Sequence, residues 1–93
     1  MFEPALRHFR EGIRRRQYVM TLHAEEQMYE DGLSVHDVER AMLTGRVLEH
    51  QKNGLTGEAK YRIIGRTMTG DEMEIIAKFG PTGKVVIITV YLV

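Results

Sequence analysis

Three segments in the second half of the chain carry chemically capable side chains at two-residue spacing. Lys60, Arg62 and Arg66 lie in AKYRIIGR, Glu74 and Lys78 in EMEIIAKF, and Thr89 and Tyr91 in VVIITVYLV. Alternate residues of a β-strand share a face, so these side chains gather on one side if the segments are strands of one sheet. Arginine grips phosphate through two parallel hydrogen bonds, and lysine binds it as a point charge. A tyrosine or lysine moves protons where its surroundings tune it. Such a set suits the handling of a phosphodiester. It also suits a wet sheet face laced with ion pairs, such as Glu74 with Arg62 or Lys78, and on pattern alone that is the commoner outcome.

The histidines add less. His8, His23, His36 and His50 lack the H-x-x-x-H spacing that sets two ligands on one helical face. Gly80-Pro-Thr-Gly83 is a turn between strands, not a phosphate-binding loop. No metal and no cofactor is expected. His23 stands at a helix start, where a structural role in the first turn is the usual one.

These residues need elements to position them. Phe2, Leu6, Phe9 and Ile13 fall on one helical face, predicting a helix over 2–16 with Pro4 in its first turn. Residues 22–45 read as a helical hairpin. Thr21 is the first N-cap, Asp31-Gly32 the break, and Ser34 with Asp37 a capping box opening the second helix. Ala24, Met28, Val35, Val38 and Met42 are its inward stripe. The period then changes to two, and 46–51, 59–66, 72–79 and 84–93 read as strands of an antiparallel meander. The expected architecture is one α+β domain over 1–93, with N-terminal helices on one face of a small, mainly antiparallel four-stranded sheet. The inward sets are Tyr61, Ile63 and Gly65, then Met73, Ile75, Ala77 and Phe79, then Val86, Ile88, Val90 and Leu92.

VVIITVYLV is apolar on both faces, as a strand inside a sheet is. At the end of a meander it needs a neighbour, either Tyr18–Thr21 or an interface, which admits a homodimer.

Composition bounds the function classes. The chain of 93 residues is 43% hydrophobic and 28% charged, with no cysteine, so neither disulfides nor thiolate zinc sites arise. No apolar run approaches the roughly 20 residues of a membrane span, and a cytoplasmic protein is expected. The net charge is zero, yet Arg7, Arg10, Arg14, Arg15 and Arg16 face only Glu3 and Glu11 in the first twenty residues. That asymmetry would seat an anionic partner or form a solvated helix face.

HAEEQMYEDGLSVHDVERAMLTGRVLEH resembles the helical half of the DUF4258 family, a pattern of H-A, M, G, a capping box, V, A and G-x-V. KYRIIGRTMTGDEMEIIAKFGPTGKVVIITVYLV is similar to its second half: a strand, a Gly-Asp turn, an apolar strand and a closing T-V-Y. The likeness spans about residues 18–93. It implies the RelE/ParE-like toxin fold, shared with BrnT-type toxins and the motility quorum-sensing regulator toxin. By resemblance the chain is the toxin of a type II toxin–antitoxin system, an mRNA-cleaving, metal-independent endoribonuclease with RNA and a cognate antitoxin protein as partners. In such a toxin His23, Arg62, Lys78 and Tyr91 are the expected catalytic residues, and Lys60, Arg66 and Tyr61 bind RNA phosphates. His23 matches the family's H-A histidine and Tyr91 its T-V-Y tyrosine. Tyr61 matches a strand tyrosine, although alternation points it inward. Gln27 and Asp31 stand where the family tends to have basic residues. The alternative is a non-catalytic module of the same fold that binds a protein through the open face.

Overall fold

The computed structural model describes residues 3–93; Phe2 of the predicted helical stripe lies outside them. Three helices, α1 (Glu3–Arg14), α2 (Leu22–Glu30) and α3 (Val35–Thr44), cover one face of a sheet. Its strands are β1 (Tyr18–Met20), β2 (Arg46–Lys52), β3 (Ala59–Arg66), β4 (Glu72–Phe79) and β5 (Val85–Leu92).

The helix boundaries follow from local chemistry. Thr21 accepts a hydrogen bond from the Ala24 amide, and Ser34 and Asp37 close a reciprocal capping box. Asp37 also accepts from the Met68 amide at 2.8 Å, tying the start of α3 to the β3–β4 turn. Helix α1 ends in a Schellman motif: the Gln17 amide donates to the Gly12 carbonyl at 2.8 Å and the Arg16 amide to that of Ile13 at 3.1 Å. Arg16 holds the left-handed position of that motif, with φ 56°.

The sheet has five strands in the order β1-β5-β4-β3-β2, not four. Strands β2 to β5 form the antiparallel meander, and β1 adds a short parallel strand against β5. The reason is the doubly apolar β5, whose free edge takes Tyr18, Val19 and Met20 opposite Val85, Val86 and Ile87.

Where β1 stops, α2 takes over. The Val90 amide donates to the Gln27 side-chain oxygen at 3.3 Å and the Leu92 amide to an Asp31 carboxylate oxygen at 3.0 Å. Four residues of helix rise roughly 6.0 Å and two residues of strand roughly 6.6 Å, so side chains at i and i+4 match amides at i and i+2. Gln27 and Asp31 therefore act as an edge cover. An unpartnered amide at buried Val90 would cost about 1–3 kcal/mol.

The inward set of β5 also differs from simple alternation. Val85, Ile87 and Val90 are buried; of the expected Val86, Ile88, Val90 and Leu92 only Val90 is. Ile76 pairs with Thr89 but Ala77 with Ile87, leaving Ile88 as an extra residue that reverses the facing halfway along the strand. On α3 the buried residues are Val38, Ala41 and Met42, while Val35 is exposed. Phe9 of α1 stacks on Phe79 with ring centroids 4.3 Å apart and completes the core. Among the described residues no helix lies over the other sheet face.

Candidate active site

Arg62 occupies the middle of the uncovered face. It sits opposite Glu49 on β2 and Ile76 on β4, while Glu74 sits opposite Ile64 on one side and Tyr91 on the other. Leu48 is an extra residue in β2, because Val47 pairs with Ile63 and Glu49 with Arg62. That bulge turns Glu49 toward the arginine.

The guanidinium bridges two carboxylates. Nη2 donates to Glu74 Oε1 at 2.8 Å and Nη1 to Glu49 Oε1 at 3.2 Å. Glu74, then Glu49, raise the Arg62 pKa above its already high ordinary value by hydrogen bonding to its charged form. The Tyr91 hydroxyl donates to Glu74 Oε2. Glu74 is thus clasped from both sides and only 7% exposed, although no helix covers this face. A buried carboxylate costs free energy unless paired and hydrogen-bonded, and the arginine and phenol meet that need.

The flanks carry more cations. Lys78 donates to Glu58 at 2.8 Å, and this contact holds the Glu58 carboxyl below its ordinary pKa. Lys60 is exposed near the β2–β3 loop. Arg66, at the other end of β3, donates to the Gly70 carbonyl at 2.9 Å.

The fold thus brings Lys60, Arg62, Arg66, Lys78 and Tyr91 onto one face. His23 and Tyr61 lie elsewhere. His23 is exposed on α2, one turn before Gln27, on the helix that covers the β5 edge. Tyr61 faces the helices: it meets Phe9 edge-on at 5.2 Å, and His50 stacks on it at 4.4 Å. Its alternation position, not its family match, agrees with that placement.

Glu74 is expected on this face as an ion-pair partner of Arg62 or Lys78, and it pairs with Arg62; Glu49 and Glu58 are not among the sequence candidates. Glu74 belongs to the same alternating set, but the burial that distinguishes it arises from Arg62 and Tyr91 on two other strands. Glu49 and Glu58 become partners only through the β2 bulge and the hairpin register. Among the described residues no three His, Asp or Glu side chains converge as metal ligands, and no helix is long and apolar enough to cross a membrane.

The sequence model of a domain of unknown function, DUF4258, matches residues 20–92. That span takes in β2 to β5, which carry Arg62, Glu74, Lys78 and Tyr91, and leaves out α1 and all of β1 but Met20. No curated protein and no solved structure matches the chain.

Proposed function

The chain belongs to the DUF4258 family, and from that premise we propose that it is the toxin of a toxin–antitoxin pair, an endoribonuclease of RelE/ParE-like fold that cleaves RNA on its uncovered sheet face. The observation that carries this reading is Glu74: a nearly buried carboxylate held between a guanidinium and a phenol at the centre of a face open to solvent. A buried charge on an otherwise wet face is retained through its pairing, and here both partners are groups suited to handling a phosphodiester.

The arrangement supports transesterification through the ribose 2′-hydroxyl. Glu74 accepts the 2′-hydroxyl proton as the oxygen attacks phosphorus. Arg62 swings from carboxylate to phosphate and stabilises the charge developing on the phosphoryl oxygens. Tyr91 gives its phenolic proton to the departing 5′-oxygen and regains one from Glu74 across their hydrogen bond. The bond from phosphorus to the 5′-oxygen breaks, leaving a 2′,3′-cyclic phosphate and a 5′-hydroxyl. Lys60 and Arg66, at the two ends of β3, meet flanking phosphates.

The test is induced expression of wild type and Arg62→Ala, with purified protein incubated on RNA. Wild type should arrest growth, with relief by a cognate antitoxin, and should leave cyclic phosphate ends. Arg62→Ala should lose at least a hundredfold in cleavage, the usual size of one lost electrostatic contact. Intact RNA with purified wild type, or equal growth inhibition by both proteins, overturns the proposal.

A second reading rests on the ion pairs. Arg62 and Lys78 both have acidic partners, and the net charge is zero, as suits a non-catalytic module that docks a protein on this face. Under that reading expression leaves growth unchanged and a partner footprint covers β3 to β5.

A further inference from the structure

One row along from Arg62 the uncovered face carries a shallow, solvent-open cleft of about 540 Å³. Lys78 follows Ile76 by two residues on β4, so its Cα is roughly 8 Å from that of Arg62, one strand over and two residues along. The cleft has two kinds of wall. Val86, opposite Lys78 on β5, with Pro81 and Gly80 of the β4–β5 turn, makes an apolar side. The Lys78–Glu58 pair, 2.8 Å between Nζ and Oε1, makes the other. A small volume with an apolar wall and a few polar groups is the form of a site for a flat organic ligand.

We propose that this cleft is a base-binding subsite that takes guanine from the nucleotide beside the scissile phosphate. This rests on the reading of the uncovered face as an RNA-cleaving site. RNA is read in sequence by splaying single-stranded bases onto apolar or aromatic surfaces and bonding their edges. Guanine alone among the four bases presents two adjacent donors, N1–H and the 2-amino group, next to a strong acceptor, O6. A carboxylate beside an ammonium is the matching partner: Glu58 accepts from both donors and Lys78 donates to O6. Each carboxylate oxygen accepts more than one hydrogen bond, so the Lys78 contact survives base binding. Adenine and cytosine each present a single amino donor, and uracil sets its lone N–H between two acceptors. In this arrangement Lys78 serves the base, and Arg62 keeps the phosphate.

The experiment is a titration of the full chain with 5′-GMP, 5′-IMP and 5′-AMP, followed by amide chemical shifts. Glu58→Gln and Gly80→Ala are measured alongside wild type. A methyl group at Gly80 would lie 3.5 Å from Val86 Cγ2, an ordinary contact on a backbone outside the left-handed region, so Gly80→Ala folds and narrows the cleft. The expected result is that GMP shifts the amides of Gly80 and Val86 and binds about tenfold tighter than AMP, as one good paired contact discriminates between bases. IMP, which lacks the 2-amino group, falls between. Glu58→Gln should bring GMP down to AMP, and Gly80→Ala should weaken all three. Equal affinity for GMP and AMP, shifts confined to another surface, or an unchanged preference in Glu58→Gln would overturn the subsite. Because the readout is binding, selective GMP shifts without RNA cleavage would uphold the subsite while removing the nuclease reading.

Discussion

Replacing Gly65 by alanine tests how the helices are seated on the sheet. A Cβ at Gly65 would lie 2.0 Å from the Ala41 carbonyl oxygen and 2.7 Å from its carbon. A close carbon–oxygen contact is about 3.3 Å, so α3 must retreat from β3 by about 1.3 Å. Both partners in the clash are main chain, and no side-chain rotation relieves it. A gap of 0.5–1 Å already forfeits about a quarter to a half of a dispersion contact, and α3 presents fully buried Val38, Ala41 and Met42 across that gap. Overpacking costs about 1–3 kcal/mol in general, and this site belongs at the upper end, near 3 kcal/mol. For a domain of this size that lowers Tm by roughly 12–24 °C. Thermal melts followed by circular dichroism, with urea titrations at matched slope, measure it. Gly54→Ala is the control: its Cβ meets nothing within 4 Å, and its stability should stay within about 0.5 kcal/mol of wild type. A Gly65→Ala protein melting within about 4 °C of wild type would refute the direct seating of α3 on β3.

Arg16→Gly should raise stability by about 1 kcal/mol in urea denaturation, since φ 56° at the Schellman position strains any residue with a Cβ. Glu49→Gln removes one of the two carboxylates on Arg62. RNA binding by fluorescence anisotropy should tighten, and the slope of log affinity against log salt should steepen by about 0.7 for one further phosphate contact. Asp37 has its pKa lowered by the Ser34 amide first and the Met68 amide next. Its contribution is therefore full above the ordinary carboxylate pKa, near 3.9, and is lost as pH falls through the lower folded value. Urea midpoints should show Asp37→Asn less stable than wild type at pH 7, with the difference shrinking as the pH falls below about 4.

What could be read in the sequence was what local chemistry decides. Thr21, the Ser34–Asp37 box and the Asp31-Gly32 break act within a few residues, so the helical hairpin was legible. Strands β3 and β4 have unbroken alternation and clean turns, and both ends of each were legible too. Strand β5 showed that it needed a second neighbour, but whether Tyr18–Thr21 or an interface supplied it stayed open, because both satisfy the same edge. The facing of Val85 and Ile87 was hidden because one extra residue, Ile88, reverses a period-two pattern without changing its composition. At the site, membership of the face was legible for Arg62, Lys78 and Tyr91. The burial of Glu74 was not, since it depends on side chains sixty-two and ninety-one in the chain closing over it from neighbouring strands. Gln27 and Asp31, read as departures from a basic pattern, were likewise unreadable as strand partners without the docking of α2.

That docking has a consequence for timing. The oxygen of Gln27 and the amide of Val90 that bonds it are 63 residues apart, and β1 likewise pairs with Val85 to Ile87 far along the chain. At ribosomal rates of about 5–20 residues per second, the segment holding β1 and α2 waits roughly 3–13 s for its counterpart to be made. Glu74 waits in the same way for Tyr91. During synthesis the chain therefore carries an unfinished N-terminal half and an unassembled central cluster, and both are completed by one late event, the arrival of β5.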